Sequence, residues 1–300
     1  MPADRPLLGI FLMLGFCAVA PLGDAIAKLL GETIPLLQLL VVRFAVQAIV
    51  LVPLVWATDR PLGMPRRIFR LTVVRTILQI FGIGAMFTAL RFLPLADALA
   101  IAFVMPFIML LLGRFVLAEE VGMRRLSACA VGFIGTLLVI QPSFAAVGAA
   151  ALLPLVVAVT FALFMLVTRQ IAKETDPIAL QAVSGLIATG LLILFLLAGR
   201  AAHLPGFAFV TPTFAEGMLL AAVGVLGTGA HLLMTWSLRF APSATLAPMQ
   251  YLEIPIATVI GWMIFRDLPN GLAALGIAIT IGAGLYVVFR ERALARSREA

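Results

Sequence analysis

The chain has 300 residues, 63% of them hydrophobic and only 12% charged, with a formal net charge of +7 and a mean hydropathy of +1.16. Such a composition excludes a soluble domain of this length. The apolar residues fall in runs of about 20, the length that crosses a bilayer core of roughly 30 Å, and these runs lack the two-residue alternation of a barrel strand.

Ten spans are predicted: 7–30, 34–57, 69–91, 95–116, 122–141, 150–172, 177–199, 214–239, 243–265 and 269–289. The first is too long for a secretion signal and carries Asp24 and Lys28 inside it. These two are four residues apart, share a helical face and form an expected ion pair beyond the helix-breaking Pro21. The alternative is that Asp24 faces a cavity. Charges in hydrocarbon cost about 2.5–3.5 kcal/mol each on insertion scales, so each needs a partner, water or a route to the interface. On that ground Arg43, four before Gln47 in the second span, is expected to line a cavity or to pair with an acid such as Asp24. Arg75, four before Gln79 in the third span, either snorkels to the nearby surface or joins the same cavity, whereas Gln79 lies near mid-depth.

The fourth span carries Phe103 and the helix-breaking Pro106, and the fifth carries Cys129. Cys129 and Cys17 read as small core side chains, and no metal site or cofactor is expected. The eighth span contains His231, read as a packing residue, a substrate ligand or a proton carrier. The ninth reads LAPMQYLEIP, with Pro248, Gln250, Tyr251, Glu253 and Pro255. Glu253 lies near the centre of that span, and Gln250 three residues before it is expected on the same face. Each proline removes an amide donor, and broken helices at mid-depth point to a transporter's binding site. Tyr251 is deep enough to stack in a cavity, with Phe103 as its counterpart in the first half.

A repeat orders these elements. ALRFLPLADAL from Ala89 returns as SLRFAPSATL from Ser237, an offset of 148 that pairs Arg91 with Arg239, Pro94 with Pro242, Phe103 with Tyr251 and Glu119 with Asp267. Glu32-Thr33-Ile34-Pro35 is echoed by Glu174-Thr175-Asp176-Pro177 at an offset of 142. Five spans per half place the second half upside down, so the predicted fold is an all-α polytopic membrane protein with ten transmembrane helices as a 5+5 inverted-topology repeat. The repeats are assigned to residues 1–140 and 150–289, followed by a basic tail at 290–300. With the N-terminus in the cytoplasm, 15 lysines and arginines fall on the inner side and 4 on the outer. The positive-inside rule therefore puts both termini in the cytoplasm. The tail is read as an orientation signal touching anionic lipid, not as a nucleic-acid arm.

The two RF-x-P segments (Arg91–Pro94 and Arg239–Pro242), the acidic ends Glu119 and Asp267, the Gly-rich fifth and tenth spans and the stretch from Asp24 to Phe44 together make the chain resemble the drug/metabolite transporter superfamily, in its ten-helix EamA-type branch. The resemblance implies a central cavity lined mainly by spans 1, 3, 4, 6, 8 and 9, with spans 5 and 10 peripheral. It also implies a multi-pass protein of the bacterial inner membrane.

The expected function is secondary active transport of a small polar or charged metabolite, such as an amino acid or related organic ion, by export coupled to protons. Substrate contacts are assigned to Gln79, Arg43, Arg75, Phe103, His231, Gln250, Tyr251 and Glu253. Coupling or gating is assigned to Glu253, His231, Asp24 and Lys28. With only two tyrosines and three tryptophans in the chain, a bulky aromatic cargo is disfavoured. The alternatives are an importer of a vitamin or nucleoside-like metabolite such as riboflavin or S-adenosylmethionine, or a passive facilitator. An intramembrane enzyme would need a motif such as HExxH or Gly-x-Ser-x-Gly, and the sequence contains neither.

Overall fold

A computed structural model describes residues 5–118, 122–204 and 207–299. Among them all regular structure is helical: α1 (Pro6–Leu30), α2 (Leu36–Ala57), α3 (Arg66–Ala89), α4 (Leu95–Ala102), α5 (Met105–Val116), α6 (Met123–Val147), α7 (Leu153–Ala172), α8 (Pro177–Ala201), α9 (Phe214–Phe240), α10 (Ser243–Leu246), α11 (Glu253–Phe265) and α12 (Gly271–Glu299). Seven stretches are long and apolar enough to cross a membrane. One of these, Leu126–Ala172, is two helices joined by a 3₁₀ turn at Gly148–Leu152, where Gly148 takes φ +61°. A residue with a side chain is strained in that region, and the glycine lets the chain reverse.

The prolines act unequally. Pro21 does not break its helix, because α1 runs on through it to Leu30. Its missing amide removes one hydrogen bond, and the remainder of the 25-residue ladder holds. The predicted fourth span does break, between Ala102 and Met105, and Pro106 sits in the first turn of α5, where its missing N–H has no helical partner to lose. The predicted ninth span becomes α10, a 3₁₀ stretch at Ala247–Leu252 that includes Pro248, and α11 with Pro255 in its first turn. The two broken legs cross, with α4 against α11 and α5 against the 3₁₀ stretch. Glu119 lies outside the described residues. α12 continues as a helix through most of the predicted tail.

The remaining contacts form a pattern. α1 packs on α9 and α3 on α7, while α2 packs on α8 and α6 on α12. Exchanging each helix of the first half for its sequence counterpart leaves this set unchanged. The two RF-x-P arginines do equivalent work. Arg91 Nη2 donates to Ile34 O at 3.2 Å and Arg239 Nη1 to Thr175 O at 2.9 Å, each pinning the loop before the second helix of its own half. They do so at opposite ends of the molecule. Phe240 O, next to Arg239, accepts from Arg5 N at the start of α1, whereas Ile34 lies beyond the end of α1. A helix of 25 residues separates the two by about 37 Å.

The surface is apolar and the interior is partly polar. Phe11, Ile49, Trp56, Phe81, Phe115, Phe195 and Phe214 are all more than half exposed, while Arg43, Arg75, Gln47, Gln79, Gln181 and Glu253 are buried. Outward-facing phenylalanines on this scale suit hydrocarbon, and inward-facing charge suits a cavity.

Candidate functional site

The helices enclose a central cavity of about 80 Å³. Phe16, Ala20 and Asp24 of α1 line it, with Gly82, Ile83 and Met86 of α3 and Leu99 and Ala102 of α4. Phe103 and Met105 border it at the first broken leg, Val157 and Phe161 on α7, His231 on α9 and Glu253 on α11. The contributors from α1 run from its middle toward its C-terminal end, those from α3 lie in its C-terminal half and those from α7 in its N-terminal half, so the cavity reaches from mid-depth toward the face opposite the start of α1.

Glu253 is the first residue of α11, placed there by the 3₁₀ break before it. Its carboxylate meets the partial positive charge of a helix start in mid-bundle. Among the described residues it makes no hydrogen bond or ion pair within 4 Å, so the arginine partner that its burial could have recruited is not in place. Asp24, from the other half of the chain, faces the same cavity. The expected Asp24–Lys28 pair does not form. Lys28 lies a turn further on, at the helix end, and its ammonium meets Asp267 Oδ2 at 3.1 Å, Leu93 O at 3.2 Å and the Phe265 ring at 4.6 Å. Asp24 instead interacts electrostatically with Arg43.

Arg43 stands behind the cavity wall. Its guanidinium packs over Phe44, 4.7 Å from the ring centroid, and its Nη2 lies 3.1 Å from His231 Nδ1. His231 is held by the edges and faces of Phe16, Phe161 and Phe164, at centroid distances of 5.9–6.2 Å. The same Nδ1 lies 2.9 Å from Gly227 O, one turn back on α9.

Arg75 does not reach the cavity, nor does it snorkel, being fully buried. Its Nε donates to Thr168 Oγ1 at 2.8 Å, Nη1 to Ser184 Oγ at 2.7 Å and Nη2 to Thr235 Oγ1 at 3.4 Å. It also packs over Phe164, 4.5 Å from the ring centroid. Gln181 extends this web, donating to His231 O at 3.0 Å and Thr235 Oγ1 at 2.9 Å while its own carbonyl accepts from Gln47 at 2.7 Å. A polar plug spanning α2, α3, α7, α8 and α9 therefore seals the bundle on the N-terminal side of the cavity.

Gln79 lies on α3 between Arg75 and the cavity-lining Gly82 and Ile83, buried and with neither amide atom partnered among the described residues. Gln250, three residues before Glu253 in the 3₁₀ stretch, does not line the cavity that Glu253 borders. Its amide nitrogen points to Met165 Sδ at 3.0 Å and Met13 Sδ at 3.9 Å. Tyr251 stands one layer back, its ring 5.7 Å from that of Phe103 and its hydroxyl donating to Cys129 O at 3.5 Å. Both cysteines are buried and free, and no metal-binding cluster occurs among the described residues.

Sequence reasoning missed the cavity phenylalanines Phe16 and Phe161, whose rings stack at 6.3 Å. Counting tyrosines and tryptophans understated the aromatic lining. It also missed the hydroxyls around Arg75, which lie on three other helices and carry no local signal. Asp97 was missed as well. It is buried in the first turn of α4, where Ser143 donates to it at 3.2 Å.

The sequence model of the EamA-like transporter family matches residues 7–141 and again residues 148–290. The chain belongs to the EamA-like transporter family. It is 30% identical over 220 residues to a riboflavin transporter of Rhizobium johnstonii, covering 73% of this chain and 70% of that protein. It is 24% identical over 286 residues to an S-adenosylmethionine uptake transporter of Rickettsia prowazekii, covering 95% and 94% of the two chains. A pseudopaline exporter of Pseudomonas aeruginosa is 24% identical over 280 residues, covering 92% of each. One solved crystal structure superposes with a TM-score of 0.69 over 96% of this chain and 98% of its own, at 20% identity, a likeness of fold. The EamA chain is thus a multi-pass membrane transporter.

Proposed function

We propose that the chain is a secondary active transporter of ten membrane crossings, built as two inverted five-helix repeats over 1–140 and 150–289 with a basic tail at 290–300. In this reading it lies in a bacterial inner membrane with both termini in the cytoplasm. It carries a small polar or charged metabolite by alternating access. The exchange-symmetric packing, and the two RF-x-P arginines at opposite ends of α1, support the inversion.

The observation that carries the reading is the meeting of two carboxylates, Asp24 from one half and Glu253 from the other, in one mid-bundle cavity lined, His231 apart, by apolar and aromatic groups. Such a site suits a cargo with an amine or other cationic group, held by charge at one end and by ring faces elsewhere. The cavity of about 80 Å³ is small beside the ~300–1,000 Å³ of pockets that enclose drug-sized ligands, so the cargo enters as the halves move. The plug around Arg75 closes the N-terminal side in this state, and Lys28 with Asp267 tethers the opposite side. Glu253, with no ion pair among the described residues, is the group assigned to exchange protons against cargo.

Counterflow in proteoliposomes tests this. Vesicles loaded with one of a panel of amino acids, riboflavin or S-adenosylmethionine are given the labelled compound outside. Saturable exchange supports a carrier, and a non-saturating flux would make it a channel. A second reading, import of a vitamin or nucleoside-like metabolite, draws on the stacked Phe16 and Phe161 beside the cavity and on the names of two relatives. Uptake of riboflavin or S-adenosylmethionine in the same vesicles distinguishes it.

A further inference from the structure

Two contacts compete for His231 Nδ1. Arg43 Nη2 lies 3.1 Å away, and Gly227 O, one turn back on α9, lies 2.9 Å away. A guanidinium can only donate, so its contact requires an unprotonated Nδ1. The carbonyl can only accept and would require Nδ1–H. The surroundings favour the first. Arg43 is fully enclosed, and its guanidinium is set by stacking over Phe44 and by attraction to Asp24. It also rests directly on the α9 backbone at Gly227, where even a Cβ would stand 2.9 Å from Nη2 and 3.0 Å from Cζ. The absence of a side chain at Gly227 is what lets the cation reach the imidazole. A neutral imidazole with Nδ1 accepting must carry its proton on Nε2. That nitrogen is buried and unpartnered among the described residues, on a side chain that lines the central cavity. Phe16, Phe161 and Phe164 surround the ring, fix its plane and offer it no acceptor.

We infer that Arg43 is a positioning residue that locks His231 in the Nε2–H tautomer, making His231 a hydrogen-bond donor to the cargo. This deepens the proposed function and rests on it only for the identity of the ligand. The cavity then reads two ends of one molecule. Asp24 and Glu253 take a cationic or donor end, and His231 takes an acceptor, a carboxylate or carbonyl oxygen. Amino acids and their derivatives carry both. A buried donor left unpaired in the empty site also disfavours cargo that lacks the acceptor.

The chain holds only two histidines, His203 and His231, so nitrogen-15 histidine labelling gives two assignable rings. The expected spectrum shows His231 as Nε2–H with a bare Nδ1. Arg43→Met removes the donor, and Gly227→Ala keeps the charge but pushes it aside. Both are expected to move His231 toward the Nδ1–H form bonded to Gly227 O. A wild-type Nδ1–H tautomer overturns the inference, as does an unchanged tautomer in a folded Gly227→Ala protein. The donor role is read by thermal stabilisation with the same amino acids, riboflavin and S-adenosylmethionine. His231→Gln keeps an N–H near the Nε2 position, whereas His231→Asn keeps only a group facing Arg43. Compounds that stabilise wild type are expected to hold their affinity in His231→Gln and to lose about tenfold in His231→Asn. Equal loss or equal retention in the two overturns the donor role. A panel with no stabilising member counts against the proposed function, and the tautomer is still decided by the spectrum.

Discussion

Replacing Arg75 separates the charge of the plug from its geometry. Two of its hydrogen bonds are short, to Thr168 and Ser184, and the third, to Thr235, is long at 3.4 Å. Hydrogen bonds from a charged donor contribute about 1.5–3 kcal/mol each, so Arg75→Met loses roughly 3–6 kcal/mol of them. Against this stands the cost of enclosing a guanidinium, several kcal/mol, which methionine does not incur. Two of the three abandoned hydroxyls also keep another acceptor, Thr168 at Phe164 O and Thr235 at His231 O, both at 2.7 Å. The terms nearly cancel, and Arg75→Met is expected to change stability by no more than about 2 kcal/mol. Arg75→Lys keeps a buried charge, but a single ammonium cannot bridge hydroxyls on three helices. It is expected to cost about 3–5 kcal/mol, as a buried charge without its partners does. The conservative substitution is therefore the more damaging one. Thermal unfolding in detergent, followed by the loss of the monodisperse peak, ranks the two. Lysine tolerated and methionine destabilising would show that charge, not the three-way tie, holds the plug, and would refute the reasoning.

Glu253→Gln is expected to weaken exchange of a cationic cargo and to abolish accumulation driven by a pH gradient, measured with a pH dye inside proteoliposomes; wild-type accumulation would remove the carboxylate from coupling. Lys28 and Asp267 are 18% and 39% exposed, so Lys28→Ala should cost stability only about 1 kcal/mol or less. Its larger expected effect is to raise labelling of a cysteine placed at Phe103 by reagents added to the face opposite the N-terminus, and the swapped pair Lys28→Asp with Asp267→Lys should restore protection. Single cysteines at Arg91 and Arg239 are expected to react with impermeant reagents from opposite sides of the membrane, and labelling from the same side would refute the inverted repeat.

The sequence by itself determined the membrane character, the all-helical fold and the presence of two EamA-type repeats. Bilayer thickness sets the length of an apolar run, and a repeat within one chain is visible as a constant offset. The breaks near Pro106 and Pro248 were also legible, because a missing amide is a local fact, although Pro21 shows that a long helix can absorb one. What only the tertiary structure decided was which polar residue meets which. Lys28 chose Asp267, 239 positions away, over Asp24, four positions away, because the helix end brings it to the far end of α11. Arg75 found its hydroxyls on α7, α8 and α9, and Gln250 met the sulfurs of Met165 and Met13 instead of the cavity. Periodicity places a side chain on a face of its own helix. The partner that face meets depends on how the halves pack, and that information lies outside any local stretch of sequence.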